Sequence, residues 1–199
     1  MKPAVIARLK ITLNNVKPPV SRRIEVPLSI RLDRLHLVIQ AAMGWTNSHL
    51  YEIRARDVGW GMPDPNWPDG PLDAHKAKLG EILEDTGAKT LRYIYDFGDD
   101  WEHTIKLERL VDPLDGLAYP RLVDAVGRCP PEDVGGPWGY AELLEAIADP
   151  RHERHAEFKE WIPEDFDPQL VNADRLAEEV AALAKLWSQK PPAKRPRPK

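Results

Sequence analysis

The sequence predicts an α+β domain: a mainly antiparallel sheet of about five strands with helices packed on one face, followed by a helical C-terminal third. Three observations carry this prediction. Short runs of alternating polarity recur through the first half of the chain. One stretch among them has apolar residues at helical spacing instead, Leu35, Val38, Ile39 and Ala42. Beyond Tyr140 only helical patterning remains.

Taken in order, Val5 to Leu13 alternates as a half-buried strand does, and Ser21 to Val26 follows it across Asn14-Asn15-Val16-Lys17-Pro18-Pro19 as an antiparallel partner. Asp33 is placed to cap a helix that ends near Gly44. His49 to Arg54 reads as a third strand. Residues 57–72 hold Trp60 and Trp67 among prolines and glycines and read as a loop, either covering a pocket or pinned to the body. A short helix through Lys76 to Leu83 leads to the most distinctive stretch, Tyr93 to His103.

That stretch reads as a β-hairpin. Leu91, Tyr93, Tyr95 and Phe97 alternate onto one face, as do Trp101, His103, Ile105 and Leu107, with Gly98-Asp99-Asp100 as the turn. The register this implies sets Phe97 opposite Trp101 and Tyr95 opposite His103. His103 then lies on the apolar face, and Asp96 and Glu102 lie on the other. A Pro/Gly-rich linker follows, then Cys129 to Tyr140. Three helices complete the chain: Tyr140 to Ala148, a second opened by Asp149-Pro150 and running through Trp161, and a third starting near Asn172 or Asp174 with Leu176, Val180, Leu183, Ala184 and Trp187 on one face.

Composition bounds the class. The chain has 199 residues, 42 % of them hydrophobic, which suits one domain over residues 1–189. It has no apolar run long enough to span a membrane and no signal-peptide pattern at its start. The single cysteine, Cys129, excludes an internal disulfide and fits a reducing cytoplasm. Residues 190–199 carry five positive charges, no acid and four prolines, which marks a disordered basic tail. With the whole chain at −4 and this tail at +5, residues 1–189 carry −9. An acidic body disfavours capture of phosphate backbones, so nucleic-acid binding is left to the tail and to Arg22-Arg23.

Two segments carry candidate chemistry. In the hairpin, Asp96, Asp99, Asp100 and Glu102 form an oxygen-rich patch suited to a hard divalent cation, with His103 as a separate base or ligand. The competing reading has solvated turn acids and a core-edge histidine bonded to Tyr95 or a carbonyl. In the second segment, Cys129, Glu132 and Asp133 offer ligands, and Gly135-Gly136 precede a helix start; the competing reading is a rigid turn with Trp138 and Tyr140 as packing anchors. His152-Glu153-Arg154-His155 has its histidines three apart rather than four, so it is not a zinc-protease helix. His36 and His49 stand alone in sequence, and no serine elbow or Cys-His-Asn order is present.

Three blocks together carry a family resemblance: Leu35-His36-Leu37-Val38-Ile39-Gln40 with Gly44-Trp45 and His49-Leu50-Tyr51; Tyr93 to His103; and Cys129-Pro130-Pro131-Glu132-Asp133 continuing through Gly135-Gly136 to Gly139-Tyr140. With Phe166-Asp167-Pro168 near the end, this resembles the plasmid pRiA4b ORF-three-like family, whose members are also labelled TnpR-type transposon passenger proteins. The resemblance covers roughly residues 4–187 and implies an α+β domain carried on plasmids or mobile elements, with no reaction attached. It departs from the family pattern at Ser21, where tryptophan is expected, and at Val134, where cysteine is frequent.

Two functions fit these residues. The first is a non-catalytic, cytoplasmic binding or adaptor module for a protein or small-molecule ligand, with a polar-aromatic groove formed by Asp96, Asp99, Asp100, Trp101, His103, Glu132, Asp133, Trp138 and Tyr140. The alternative is a metal-assisted hydrolase or nuclease in which Asp96, Asp99, His103, Glu132 and Asp133 hold a divalent cation that activates water. Either reading requires the hairpin and the Cys129 segment to meet in space.

Overall fold

A computed structural model of the chain describes residues 4–188. The basic segment 190–199 read from sequence lies outside the described residues. The sheet has eight strands rather than about five. In chain order the elements are β1 (Ile6–Leu13), β2 (Val20–Pro27), α1 (Leu32–Met43), β3 (Tyr51–Ala55), β4 (Val58–Gly61), β5 (Leu72–Asp73), α2 (Leu79–Thr86), β6 (Thr90–Tyr95), β7 (Trp101–Val111), β8 (Arg121–Val126), α3 (Gly136–Ala148), α4 (His155–Trp161) and α5 (Ala173–Ser188). The sheet order is β5-β4-β3-β6-β7-β1-β2-β8, antiparallel throughout except for the short parallel pair β4–β5. The three extra strands are short or half-exposed, and two of them interrupt the stretch read as a loop over 57–72. Trp60 is buried in that stretch and pins it, whereas Trp67 is exposed.

The two faces of the sheet differ because the strands alternate. One face carries Leu9, Ile11 and Leu13 of β1, Ile24 and Val26 of β2, Ile53 of β3, Tyr93 and Tyr95 of β6, and Trp101 and Ile105 of β7, all buried. Helix α1 packs Leu32, Leu35, Val38, Ile39, Ala42 and Met43 into the same core. The other face is polar and cross-linked by charge. Glu25, only 2 % exposed, accepts from the guanidinium groups of Arg8 and Arg121, and Arg23 reaches Glu108 and Asp124. Of the Arg22-Arg23 pair, only Arg23 reaches the surface, and acids of the sheet engage it. Arg23 is held in this ion-pair lattice. Arg22 is buried on the inner face and donates to the carbonyls of Ala42, Ser21 and Val126.

Two boundaries differ from the sequence reading for local reasons. Helix α1 begins at Leu32 with extended Arg31 before it, because the Asp33 carboxylate is engaged by the Arg31 guanidinium at 2.9 and 2.7 Å instead of capping. Asp149 closes α3 rather than opening α4; its N–H bonds Glu145 O at 3.2 Å and its carboxylate turns onto Arg151, so α4 begins only at His155. Helix α5 starts at Ala173, where the sequence reading sets it, and Asn172 Oδ1 accepts from Arg175 N at 3.0 Å as its cap.

The hairpin register is shifted by two residues. Tyr95 pairs with Trp101, Tyr93 with His103 and Leu91 with Ile105. The cause is Asp96, whose φ of +58° ends β6 and lengthens the turn to Asp96-Phe97-Gly98-Asp99-Asp100. A slip of two preserves which side chains face inward. His103 and Trp101 thus remain buried, but Phe97 leaves the strand and becomes exposed.

Candidate functional site

The site begins at the C-terminus of α1. Gly44, at φ +81°, bonds Gln40 O and turns the chain into the loop Trp45-Thr46-Asn47-Ser48-His49. Each residue of that loop is held by hydrogen bonds to other parts of the chain. Trp45 Nε1 donates to Pro130 O at 2.9 Å. The Asn47 N–H donates to Gln40 Oε1 at 3.1 Å, and its side-chain oxygen lies 2.5 Å from His36 Nε2. Ser48 N–H and His49 N–H both donate to the Tyr95 hydroxyl, at 3.0 and 3.3 Å.

His36 joins this loop to the core. Its ring stacks on Tyr51 with centroids 3.6 Å apart, and its Nδ1 lies 2.9 Å from the Tyr93 hydroxyl, which also accepts from Gln40 Nε2 at 2.9 Å. Burial pushes its pKa down to about 4, so the ring is neutral near pH 7. A proton on Nε2 facing Asn47 Oδ1, with Nδ1 accepting from Tyr93, satisfies the whole chain of contacts.

The second component is the hairpin turn. Asp96 N–H bonds Leu50 O at 2.9 Å, Asp100 N–H bonds Asp96 O at 2.7 Å, and Asp96 Oδ1 accepts from Gly98 N–H at 2.9 Å. Asp96 and Asp100 both adopt positive φ, which Asp tolerates because its short side chain bonds the local backbone. Asp96 is thereby fixed with one carboxylate oxygen, Oδ2, free to face outward from the turn.

The Pro-Pro-Glu-Asp loop is the third component, and it meets the other two. Glu132 Oε1 accepts from the Tyr95 hydroxyl at 2.6 Å, while Oε2 accepts from Thr46 N–H at 2.8 Å and Thr46 Oγ1 at 2.7 Å. Burial, and secondly the Glu132 carboxylate, push the Tyr95 pKa up to about 12, so the phenol keeps its proton and donates it to Glu132. Gly135 N–H donates to Asp99 Oδ2 at 3.2 Å, and the Gly136 backbone packs so closely on the Asp99 carbonyl that a Cβ there would lie 2.2 Å from its oxygen.

Three side chains from these three segments converge. His49 Nε2 lies 3.6 Å from Asp96 Oδ2 and 3.1 Å from Asp133 Oδ1, and all three donor atoms lie within 4.8 Å of one another. Of the acids named from sequence, Asp96 and Asp133 are therefore brought together. Glu132 is instead saturated by hydrogen bonds, and Asp99 faces the start of α3. His103 lies apart from the cluster. It is fully buried, with Nδ1 3.0 Å from Trp101 O and its ring edge-on to Trp45, and burial pushes its pKa down to about 4. Cys129 is likewise inert, its thiol pushed up to about 12 by burial.

His49 was the residue that sequence reasoning passed over. It reads as the first residue of β3, but the strand starts two residues later at Tyr51. Its place in the block Gly44-Trp45 to His49-Leu50-Tyr51 was the available signal.

Beside the cluster, a groove of about 970 Å³ runs between the β1–β2 turn, the hairpin turn and the first turns of α3. Asp99, Asp100, Glu102, Lys17, Trp138 and Tyr140 line it. Trp138 is 88 % exposed on its rim. Tyr140 is 1 % exposed, and its hydroxyl is buried without a hydrogen-bond partner. Trp101, by contrast, is fully buried against Trp45 and does not reach the groove surface.

Among the described residues, no helix is long and apolar enough to cross a membrane. The chain is 57 % identical over 188 residues to a protein of Sinorhizobium fredii named uncharacterized protein y4hQ, covering 94 % of this chain and 96 % of that one. Its fold is similar to the crystal structure of MM3350, a protein of unknown function from Methanosarcina mazei Go1, with a TM-score of 0.78, 32 % identity, and coverage of 87 % of this chain and 98 % of that one. Residues 5–175, which include all three components of the site, match the plasmid pRiA4b ORF-3-like protein family, and the chain belongs to that family.

Proposed function

We propose that this chain is a non-catalytic, cytoplasmic binding or adaptor module associated with plasmids or mobile elements, and that its groove takes a segment of a partner protein presenting a lysine or arginine. The observation that carries this reading is Trp138, an indole left 88 % exposed at the mouth of a groove with acidic lining. An exposed indole offers its face to a cation and its area to the apolar stem behind it. Among the described residues Asp100 is exposed in the groove and makes no ion pair, unlike Glu102, which is bridged to Arg92 at 2.7 Å. A volume of about 970 Å³ is at the upper end of the range for compact ligands and suits several residues of extended peptide.

The experiment is fluorescence anisotropy with a labelled peptide of alternating glycine, arginine and lysine. The full chain binds it, and binding weakens as salt rises because the contacts are exposed. Trp138→Ala and Asp100→Asn each weaken it at least tenfold, whereas Lys106→Ala on the outer sheet face leaves it unchanged. Equal affinity for Trp138→Ala, Asp100→Asn and the parent chain overturns the reading.

A further inference from the structure

We infer that His49, Asp96 and Asp133 form a binding site for a divalent transition-metal ion, separate from the groove and independent of what the groove binds. The donor set is one imidazole nitrogen and two carboxylate oxygens, each from a different segment of the chain. This mixed nitrogen–oxygen set suits zinc or a neighbouring first-row ion rather than magnesium, which favours oxygen donors and retained water. Tetrahedral zinc with such ligands at about 2.0–2.1 Å separates neighbouring donors by about 3.3 Å. The two His49 separations, 3.1 and 3.6 Å, straddle that value.

A second observation points to a cation at this position. His49 Nε2 is buried yet makes no hydrogen bond, despite standing between two carboxylates. Asp96 is 9 % exposed, and its Oδ2 has no hydrogen-bond donor. A buried ring nitrogen that makes no hydrogen bond is costly unless something beside it satisfies it. A cation bound at Nε2 and both carboxylates satisfies all three groups together. Asp133 is 69 % exposed at its side chain, so the outer side of the site stays open to water or a fourth ligand.

The surrounding hydrogen bonds hold these donors in place. The Tyr95 hydroxyl accepts the His49 N–H and donates to Glu132, the residue just before Asp133. Asp96 is fastened through its N–H, its carbonyl and Oδ1. Such outer contacts orient ligands before a metal arrives.

The test is calorimetric titration of the chelator-treated full chain with zinc chloride and, separately, magnesium chloride. Asp133→Asn and Asp96→Asn suit it because asparagine also accepts the positive φ found at both positions, +61° and +58°. The expected result is one zinc ion per chain, affinity for zinc at least tenfold above that for magnesium, and at least a tenfold loss in Asp133→Asn, in Asp96→Asn and in His49→Gln. Asp115→Asn, in the exposed loop after β7 and outside both the groove and the cluster, keeps the parent affinity. No bound zinc, a preference for magnesium, or undiminished zinc binding in Asp133→Asn overturns the inference. Because the titration contains no peptide, its failure leaves the groove reading standing, and the reverse holds for the peptide experiment.

Discussion

The Tyr95 hydroxyl donates to Glu132 Oε1 at 2.6 Å, across 37 residues of chain, while accepting two backbone N–H groups from Ser48 and His49. This single phenol joins the hairpin to both neighbouring loops. Tyr95→Phe removes all three bonds and leaves two N–H donors without their acceptor. The expected loss is about 1–3 kcal/mol of stability, measured by urea unfolding. A double-mutant cycle with Glu132→Gln gives a coupling energy of at least about 0.5 kcal/mol, whereas additive losses contradict the contact.

Acid destabilises the fold through two histidines. His36 and His103 have folded pKa values lowered to about 4, below the value of about 6.5 for an unfolded histidine. Between those values the unfolded chain binds protons that the folded chain refuses, so stability is complete above about pH 6.5 and falls as pH drops toward 4. Each ring contributes a loss of up to about 3 kcal/mol over that window. Urea midpoints measured at pH 7 and pH 5 record the loss, and His103→Leu reduces the difference between them. A midpoint independent of pH across this window contradicts the buried neutral rings.

Gly136 is required by contact as well as by backbone conformation. Its φ is +68°, and an added Cβ meets the Asp99 carbonyl at 2.2 Å, so hairpin and α3 must separate to accommodate alanine. Gly116 has a φ of +79° but nothing within 4 Å of its Cβ position. Both alanine variants carry backbone strain of about 1–2 kcal/mol, and Gly136→Ala loses at least about 1 kcal/mol more than Gly116→Ala. Thermal unfolding of the two variants side by side checks the ordering.

Glu25 is the buried centre of the outer-face ion pairs. Desolvation opposes its charge, but bonds from Arg121 and Arg8 outweigh it and hold its carboxyl below the usual carboxylate range. Glu25→Ala therefore loses about 2–3 kcal/mol, less than a fully buried pair because both arginines remain partly hydrated. Denaturant unfolding measures it, and Glu25→Gln falls between parent and alanine.

How far the sequence was legible follows from which forces act locally. Strand alternation in β1, β2, β6 and β7 reports burial of one face, so His103 and Trp101 were assigned inward correctly. The register was not readable, since a slip of two leaves the alternation intact and only the left-handed turn at Asp96 sets the pairing. Strand β8 was missed because it alternates little, lying half-exposed at the sheet edge. The family blocks located all three site segments, but His49 reads as strand until Tyr95, 46 residues away, is seen to hold its N–H. Convergence of that kind is a property of tertiary packing and leaves no periodic trace.

On the proposed reading, the hairpin turn and the first turns of α3 form one ligand surface. Backbone amide NMR during titration with the arginine–lysine peptide tests it most directly. The expected shifts are concentrated at residues 98–102 and 135–141, with the Trp138 indole N–H among the largest. Shifts confined to the outer sheet face around Glu108 and Asp124, or no saturable shifts at all, would contradict it.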